Sequence, residues 1–476
     1  MASPWLDGRL VLKLLPIVFL ILIHSSVEAT RGTHSKNNLD CEWKEDLCNE
    51  ARPLFINPQM KVGPFSTLYA PLPPKIGKHN PALMRVPNGQ KVVLACSGKR
   101  NSLVRRRRKT YAELECREGT FYENNAKVDD LKTPLSESCH SKQVVTFEEH
   151  ENNGELKTFD LSMLVIASNN EVYFKVRVLD GVFDQNWNVL LTRMTMTKDI
   201  KRAVCVGKRY EGFFHAYGKQ DLIDISSTYG KNWYTHVMSS TCLPSAVKKL
   251  RSSDVLYKMF GTSTVPVADS EKYLSRGHLS ASNDFPFKYQ QDATSSMLNV
   301  APQWQSFNLA WNTEVEEKTQ SMAANTEKGL VVLTGTLGTL KLPLDCGWTG
   351  KSRDRSINRM VINTDKNNNI LVKDITIYKN NYRVPEIYWK LTYPVGAEGD
   401  VMQEGTVKIG FNTLHTSGQL EKENQLYQLL NGYCKKMVNK EVAIFDCSVG
   451  NFFLSVDADC EPLQLPQKLM KLLEGN

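Results

Sequence analysis

The sequence predicts an α+β protein in which a small β-rich module precedes a larger mixed domain. Three observations carry that expectation. Short apolar runs of strand character alternate with Pro- and Gly-rich punctuation from residue 60 onward. Leu420 to Met437, near the end, is helical in composition. The 476 residues are 41% hydrophobic and 23% charged, an ordinary globular mixture. That mixture excludes a mostly disordered chain, a collagen-like repeat and a coiled-coil rod. At roughly 100–200 residues per domain, the length accommodates two or three domains.

The first element is a targeting segment. Arg9 and Lys13 precede the apolar run Leu14 to Ile23, and Val27-Glu28-Ala29 offers small residues for cleavage. This is the pattern of a secretory signal over residues 1–29. The run has about half of the ~20 apolar residues that a membrane span needs. Localisation is therefore expected to be secreted and extracellular. Eleven cysteines spread along the chain without a C-x-x-C pair fit structural disulfides in an oxidising compartment. Their connectivity does not follow from sequence, and one cysteine is left over. No N-x-S/T sequon occurs.

Residues 30–145 read as a cysteine-containing β-rich N-terminal module. Its first part, to about residue 60, is expected to be an irregular lead-in held by Cys41 and Cys48. Strand patterns follow at Lys91 to Cys96 and Tyr111 to Cys116. Residues 146–476 form the second domain. Its strand-like runs include Glu171 to Val178, Leu330 to Thr334 and Ile387 to Tyr393.

Between Cys96 and Cys116 lies a basic run that ends in Arg105, Arg106, Arg107, Arg108 and Lys109. Three readings are open: a solvated loop, a phosphate-binding patch, or a processing site at consecutive arginines. A Cys96–Cys116 disulfide, if formed, would keep the pieces of a cleaved chain joined. The formal net charge of +8 is compatible with a polyanionic partner and does not require one.

The stretch that carries chemistry starts at Tyr273-Leu-Ser-Arg-Gly-His278. On a strand, Arg276 and His278 face the same side. A guanidinium suits phosphate by its paired donors, and an imidazole suits proton transfer by its pKa of about 6.5. Taken alone, R-x-H is a weak signal, and a lone histidine is more often structural. Asn299-Val-Ala-Pro-Gln303 follows, then Asn308, then Glu316 eight residues on. Trp304 and Trp311 read as core residues rather than base-stacking platforms.

Together these motifs resemble the DNA/RNA non-specific endonuclease family, whose fold is the ββα-metal (His-Me finger) nuclease. Gly329 to Thr336 and Val384-Pro-Glu-Ile-Tyr-Trp-Lys390 are similar to further strands of that family. The resemblance covers roughly residues 200–455 and looks most like the secreted arthropod branch, which includes double-stranded ribonucleases. It implies a nuclease domain over 146–476 and hydrolysis of phosphodiester bonds in DNA and RNA, single- or double-stranded. It implies His278 as general base, Arg276 as stabiliser of the charged phosphorus, and Asn299 as an orienting residue. Asn308 would be the direct ligand of Mg²⁺, with Mn²⁺ as a substitute, and Glu316 would hold metal-bound waters.

Two departures stand out. Ser275 replaces the family's usual aspartate. Trp311 follows Asn308 after three residues rather than four, with one residue gained after it, so Glu314 and Glu316 compete for the glutamate role. In an α-helix, eight positions rotate by about 80° and six by about 120°, which favours Glu316. The altered register leaves a second reading open: a weak nuclease that binds extracellular nucleic acid through its basic surface. The third is a precursor activated by cleavage at Arg105 to Lys109.

Overall fold

The computed structural model describes most of residues 39–196, 274–343 and 372–449. The expected signal segment 1–29 lies outside the described residues, as do Arg107 and Arg108. Among the described residues, no helix is long and apolar enough to cross a membrane.

Eight strands build the leading part: β1 (Cys41–Glu45), β2 (Leu54–Val62), β3 (Phe65–Leu68), β4 (Ala82–Val86), β5 (Lys91–Ala95), β6 (Tyr111–Arg117), β7 (Thr120–Glu123) and β8 (Ala126–Lys127). Six of them form an antiparallel sheet in the order β3-β2-β5-β6-β7-β8, and β1 pairs with β4. The segment before residue 60 is therefore not the irregular lead-in that the sequence suggested. In β1, alternation buries Cys41, Trp43 and Glu45 and exposes Glu42 and Lys44, the period-2 pattern of a half-buried strand. Disulfides join Cys41 to Cys116 and Cys96 to Cys139. The Cys96–Cys116 pairing does not form. Both observed bridges nevertheless span the basic loop, so a chain cut there stays in one covalent piece. All seven described cysteines are disulfide-bonded, and Cys434–Cys447 closes a short loop near the end of the described residues.

The second part adds β9 (Val145–His150), β10 (Leu156–Ile166), β11 (Val172–Asp184), β12 (Leu190–Met196), β13 (Leu274–His278), β14 (Val300–Trp304) and β15 (Leu330–Leu337). Next come β16 (Lys341–Pro343), β17 (Val372–Asp374), β18 (Thr376–Ile377), β19 (Tyr382–Arg383), β20 (Ile387–Pro394), β21 (Thr406–Phe411), β22 (Lys435–Lys436) and β23 (Ile444–Ser448). A nine-stranded antiparallel sheet runs β22-β23-β21-β20-β15-β12-β11-β10-β9, while β13-β14, β16-β17 and β18-β19 are separate pairs. Four described α-helices accompany them: α1 (Lys288–Ala293), α2 (Gln305–Trp311), α3 (Glu317–Asn325) and α4 (Gln425–Tyr433). Among the described residues, the helical composition of 420–437 is realised at 420–421 and over α4. Its first turn is capped by the Asn424 side chain, which accepts from the Tyr427 amide.

The strand β20 explains the large sheet. Its run Ile387-Tyr-Trp-Lys is buried without alternation. Successive side chains point to opposite faces, so the sheet is covered on both sides here. Tyr388 joins a core with Trp304, Phe307 and Trp311. Trp389 joins the opposite core with Phe411, Tyr427 and Phe445. The first core is continuous with the leading module, including Trp43, Phe55 and Leu94.

On β15, Gly335 lies opposite Trp389. A Cβ there would sit 2.4 Å from the Trp389 ring. Gly335→Ala is expected to lower stability by about 1–3 kcal/mol, the usual range for overpacking. Denaturant unfolding followed by tryptophan fluorescence measures it. An unchanged midpoint would mean that the ring yields.

Candidate active site

The strands β13 and β14 pair antiparallel, with Arg276 opposite Pro302, Gly277 opposite Ala301 and His278 opposite Val300. Gly277 is required by close approach: a Cβ on it would lie 2.2 Å from the side-chain amide of the fully buried Gln303. The R-G-H and N-x-x-P-Q motifs are thus two sides of one ladder. An isolated two-stranded pair is marginal in water, and this one is anchored to the large sheet. The Tyr388 hydroxyl donates to the Pro302 carbonyl at 2.9 Å. Asn412, just after β21, donates to the carbonyls of Pro302 (3.2 Å) and Pro385 (2.7 Å) and accepts from the Trp304 amide (2.8 Å).

His278 sits half-buried at the end of β13. The structure describes Arg276 by its place on that strand. Asn299 is fully buried. Its amide nitrogen donates to the carbonyls of Ser280 and Thr294, both at 2.8 Å, and its side-chain oxygen accepts from the Ser280 amide at 2.9 Å. Its carbonyl accepts from the Leu279 amide. Asn299 therefore fixes the turn that leaves His278, through backbone contacts alone.

The helix α2 begins directly after β14, which puts Asn308 one turn into it. Asn308 is half-exposed, and among the described residues no hydrogen bond engages its side-chain amide. Trp304 and Trp311 are fully buried, in line with a core role. Phe307 packs against Trp311 and Tyr388 with ring centroids 5.5 and 5.4 Å apart. Between α2 and α3, residues Asn312–Glu316 form a π turn. This is where the sequence carries the residue gained after Trp311. A π turn advances less about the axis per residue than an α turn. The environments of the two glutamates differ. Glu314 pairs with the exposed Lys318 at 2.5 Å, whereas Glu316 is buried. Burial pushes the Glu316 carboxyl up to about 7; the Lys390 charge opposes the rise, and Asp284 and Glu317 add to it.

A buried charge cluster joins Lys390, the last residue of the Val384 to Lys390 motif, to Asp284, which the sequence did not single out. Asp284 and Lys390 are both fully buried, with Lys390 Nζ 3.9 Å from Asp284 Oδ2 and 3.4 Å from the Leu279 carbonyl. Asp284 also accepts from Gln320 Nε2 (3.0 Å) and the Ala281 amide (3.1 Å). Its carboxyl is raised by burial and lowered by Lys390. The signal in the sequence was a single lysine inside the apolar run Ile387 to Tyr393.

The basic run is only partly available to a ligand. Arg105 is exposed, and its backbone amide donates to Glu137. Arg106 is largely buried and ion-paired with Glu123 and Glu137, so it holds the loop in place. Exposed Lys109 lies 3.4 Å from Glu123. A separate group, Glu148, His150 and Asp160, has ligand atoms close enough to share an ion. Its carboxylates are already paired with Lys175 and Arg177.

Glu45, in the leading module, behaves like Glu316. Burial raises it to about 7 against the pull of Arg52, 2.7 Å away. Both carboxyls start from 4.5. A carboxyl whose pKa is raised on folding stabilises the fold while it is protonated, and that contribution fades as pH rises through its folded value. In metal-free buffer the unfolding temperature should therefore fall between pH 4.5 and about 7. Glu45→Gln and Glu316→Gln should each flatten the fall. A wild-type profile that is flat over this window would exclude buried, protonated carboxyls.

Residues 231–426 match the DNA/RNA non-specific endonuclease family. The salivary endonuclease of Lutzomyia longipalpis is 40% identical over 85 residues, or 18% of this chain. The chain spans only 21% of the length of that relative. The crystal structure of the EndoG/EndoGI complex, which addresses EndoG inhibition, aligns with 31% of this chain and 56% of that one. Identity there is 21% and the TM-score 0.21, too low for an argument about the fold. The segment that matches this family model, 231–426, holds Arg276, Gly277 and His278 on one strand and Asn299 to Gln303 beside them.

Proposed function

We propose that the chain is a secreted, metal-dependent endonuclease that hydrolyses phosphodiester bonds in DNA and RNA, duplexes included. Its nuclease domain, residues 146–476, would have the ββα-metal fold, with residues 30–145 as the preceding module. The observation that carries this reading is the succession β13, β14, α2. It sets His278 at a strand end and an unengaged Asn308 amide on the helix that follows. The three described disulfides support an oxidising, extracellular destination.

In this reading His278 takes the proton of the attacking water. Arg276 stabilises the negative charge that builds on phosphorus. Asn299 acts at one remove, by fixing the backbone after His278. The Asn308 amide oxygen is a hard donor of the kind Mg²⁺ or Mn²⁺ prefers, and Glu316 holds the waters around such an ion. Held by these residues, such a cation would supply neutralisation of phosphate charge. Recognition by phosphate rather than by base edges gives a broad substrate range.

The test is cleavage of plasmid DNA and of double-stranded RNA, with Mg²⁺ or with EDTA. Wild-type protein should cleave both only with metal. His278→Ala should lose at least about 100-fold, the lower range for a general base. Glu316→Gln should lose about 10- to 100-fold, while Glu314→Gln stays close to wild type. Salt-sensitive retardation of both nucleic acids without cleavage would instead establish a binding protein.

A further inference from the structure

Lys390 has no assigned part in the chemistry, yet its surroundings are specific. It is wholly buried in the middle of β20, and its ammonium approaches the carbonyl of Leu279, the residue directly after His278. Asp284 lies on its other side, held by Gln320 of α3 and by the Ala281 amide. Across the ladder its partner is Lys408, also buried, with Asp446 at 3.7 Å. Two buried lysines on adjacent strands repel unless anions face them. Asp446 serves Lys408, and Asp284 serves Lys390. The Lys390 charge is the leading attraction on the Glu316 carboxyl. One ammonium thus touches the exit of the His278 strand and, through Asp284 and Gln320, reaches α3, the helix that follows Glu316.

We infer that Lys390 is a positioning residue of the nuclease centre, locking the His278 turn to α3, the helix that follows Glu316, through the Leu279 carbonyl and the Asp284 carboxylate that Gln320 holds. The inference rests on the proposed nuclease reading for the meaning of His278 and Glu316. A lysine that served packing alone would be replaceable by an apolar side chain of like volume, because buried ion pairs are often neutral to stability. A lysine that sets the spacing of two functional groups would not, since about 1 Å of misplacement costs roughly 100-fold in rate.

The experiment uses the full mature chain with its disulfides formed, as wild type, Lys390→Met and the charge-balanced double variant Lys390→Met/Asp284→Asn. Folding is followed by circular dichroism and unfolding temperature. Mn²⁺ binding is measured without substrate, by the paramagnetic resonance of the free ion. Plasmid cleavage with Mg²⁺ gives kcat and KM. In whichever variant folds, Mn²⁺ affinity should weaken about tenfold and kcat should fall about 10- to 100-fold. KM for DNA should stay within about threefold, because phosphate contacts elsewhere are intact. A folded variant with wild-type Mn²⁺ affinity and kcat overturns the inference. Failure of both variants to fold assigns Lys390 to stability and overturns it as well. Failure of the nuclease reading shows separately, as a wild-type chain that does not cleave or a His278→Ala chain that still does.

Discussion

A two-stranded ribbon cannot stand alone in water, and the motif residues of this chain lie on one. What fixes it is a small set of hydrogen bonds to a single carbonyl. Pro302 has no amide proton to give, but its oxygen receives both Tyr388 and Asn412. Asn412 also holds the Trp304 amide, the last position before α2. Strand and helix are thereby referred to the same point on the large sheet. The rest of the site follows from that reference: the flush packing of Gln303 on Gly277, the ring cluster of Phe307, Trp311 and Tyr388, and the entry of α2.

Charge completes what these contacts begin. The sheet face under the π turn carries Lys390 and Lys408, and the carboxylates above it are buried with them. Each of these groups would be costly in isolation. In the role inferred for Lys390, they hold the His278 turn against α3. The π turn belongs to the same adjustment. It lies between the helix that carries Asn308 and the helix that follows Glu316.

Much of this was legible in the sequence where one physical signal dominated. Dense apolar runs marked β5, β11, β15 and β20, and the tryptophans at the end of β14 and in α2 announced their own burial. The irregular reading of residues 30–60 failed because β1 shows its alternation over only five residues, with Glu45 on the buried side. Helix α1 passed unnoticed because Lys288-Tyr-Gln-Gln-Asp-Ala is polar, and its burial comes from neighbours rather than from its own pattern. Disulfide partners were beyond reach: Cys96 and Cys116 lie close in sequence, but adjacent strands carry them to different partners. Asn299 was legible as a motif position; that its hydrogen bonds all go to backbone emerges only in three dimensions.

The continuous core has a practical meaning for anyone who handles this protein. Phe287 stacks on Tyr289 and faces Phe55 of the leading module, and the Lys288 amide donates to the Leu47 carbonyl. These contacts lie in the loop that runs from His278 to Asn299. A recombinant fragment beginning at residue 146 would present those aromatic rings to water and lose the scaffold beneath that loop. Expression trials should therefore keep both parts in one polypeptide and in a compartment where Cys41–Cys116 and Cys96–Cys139 can close.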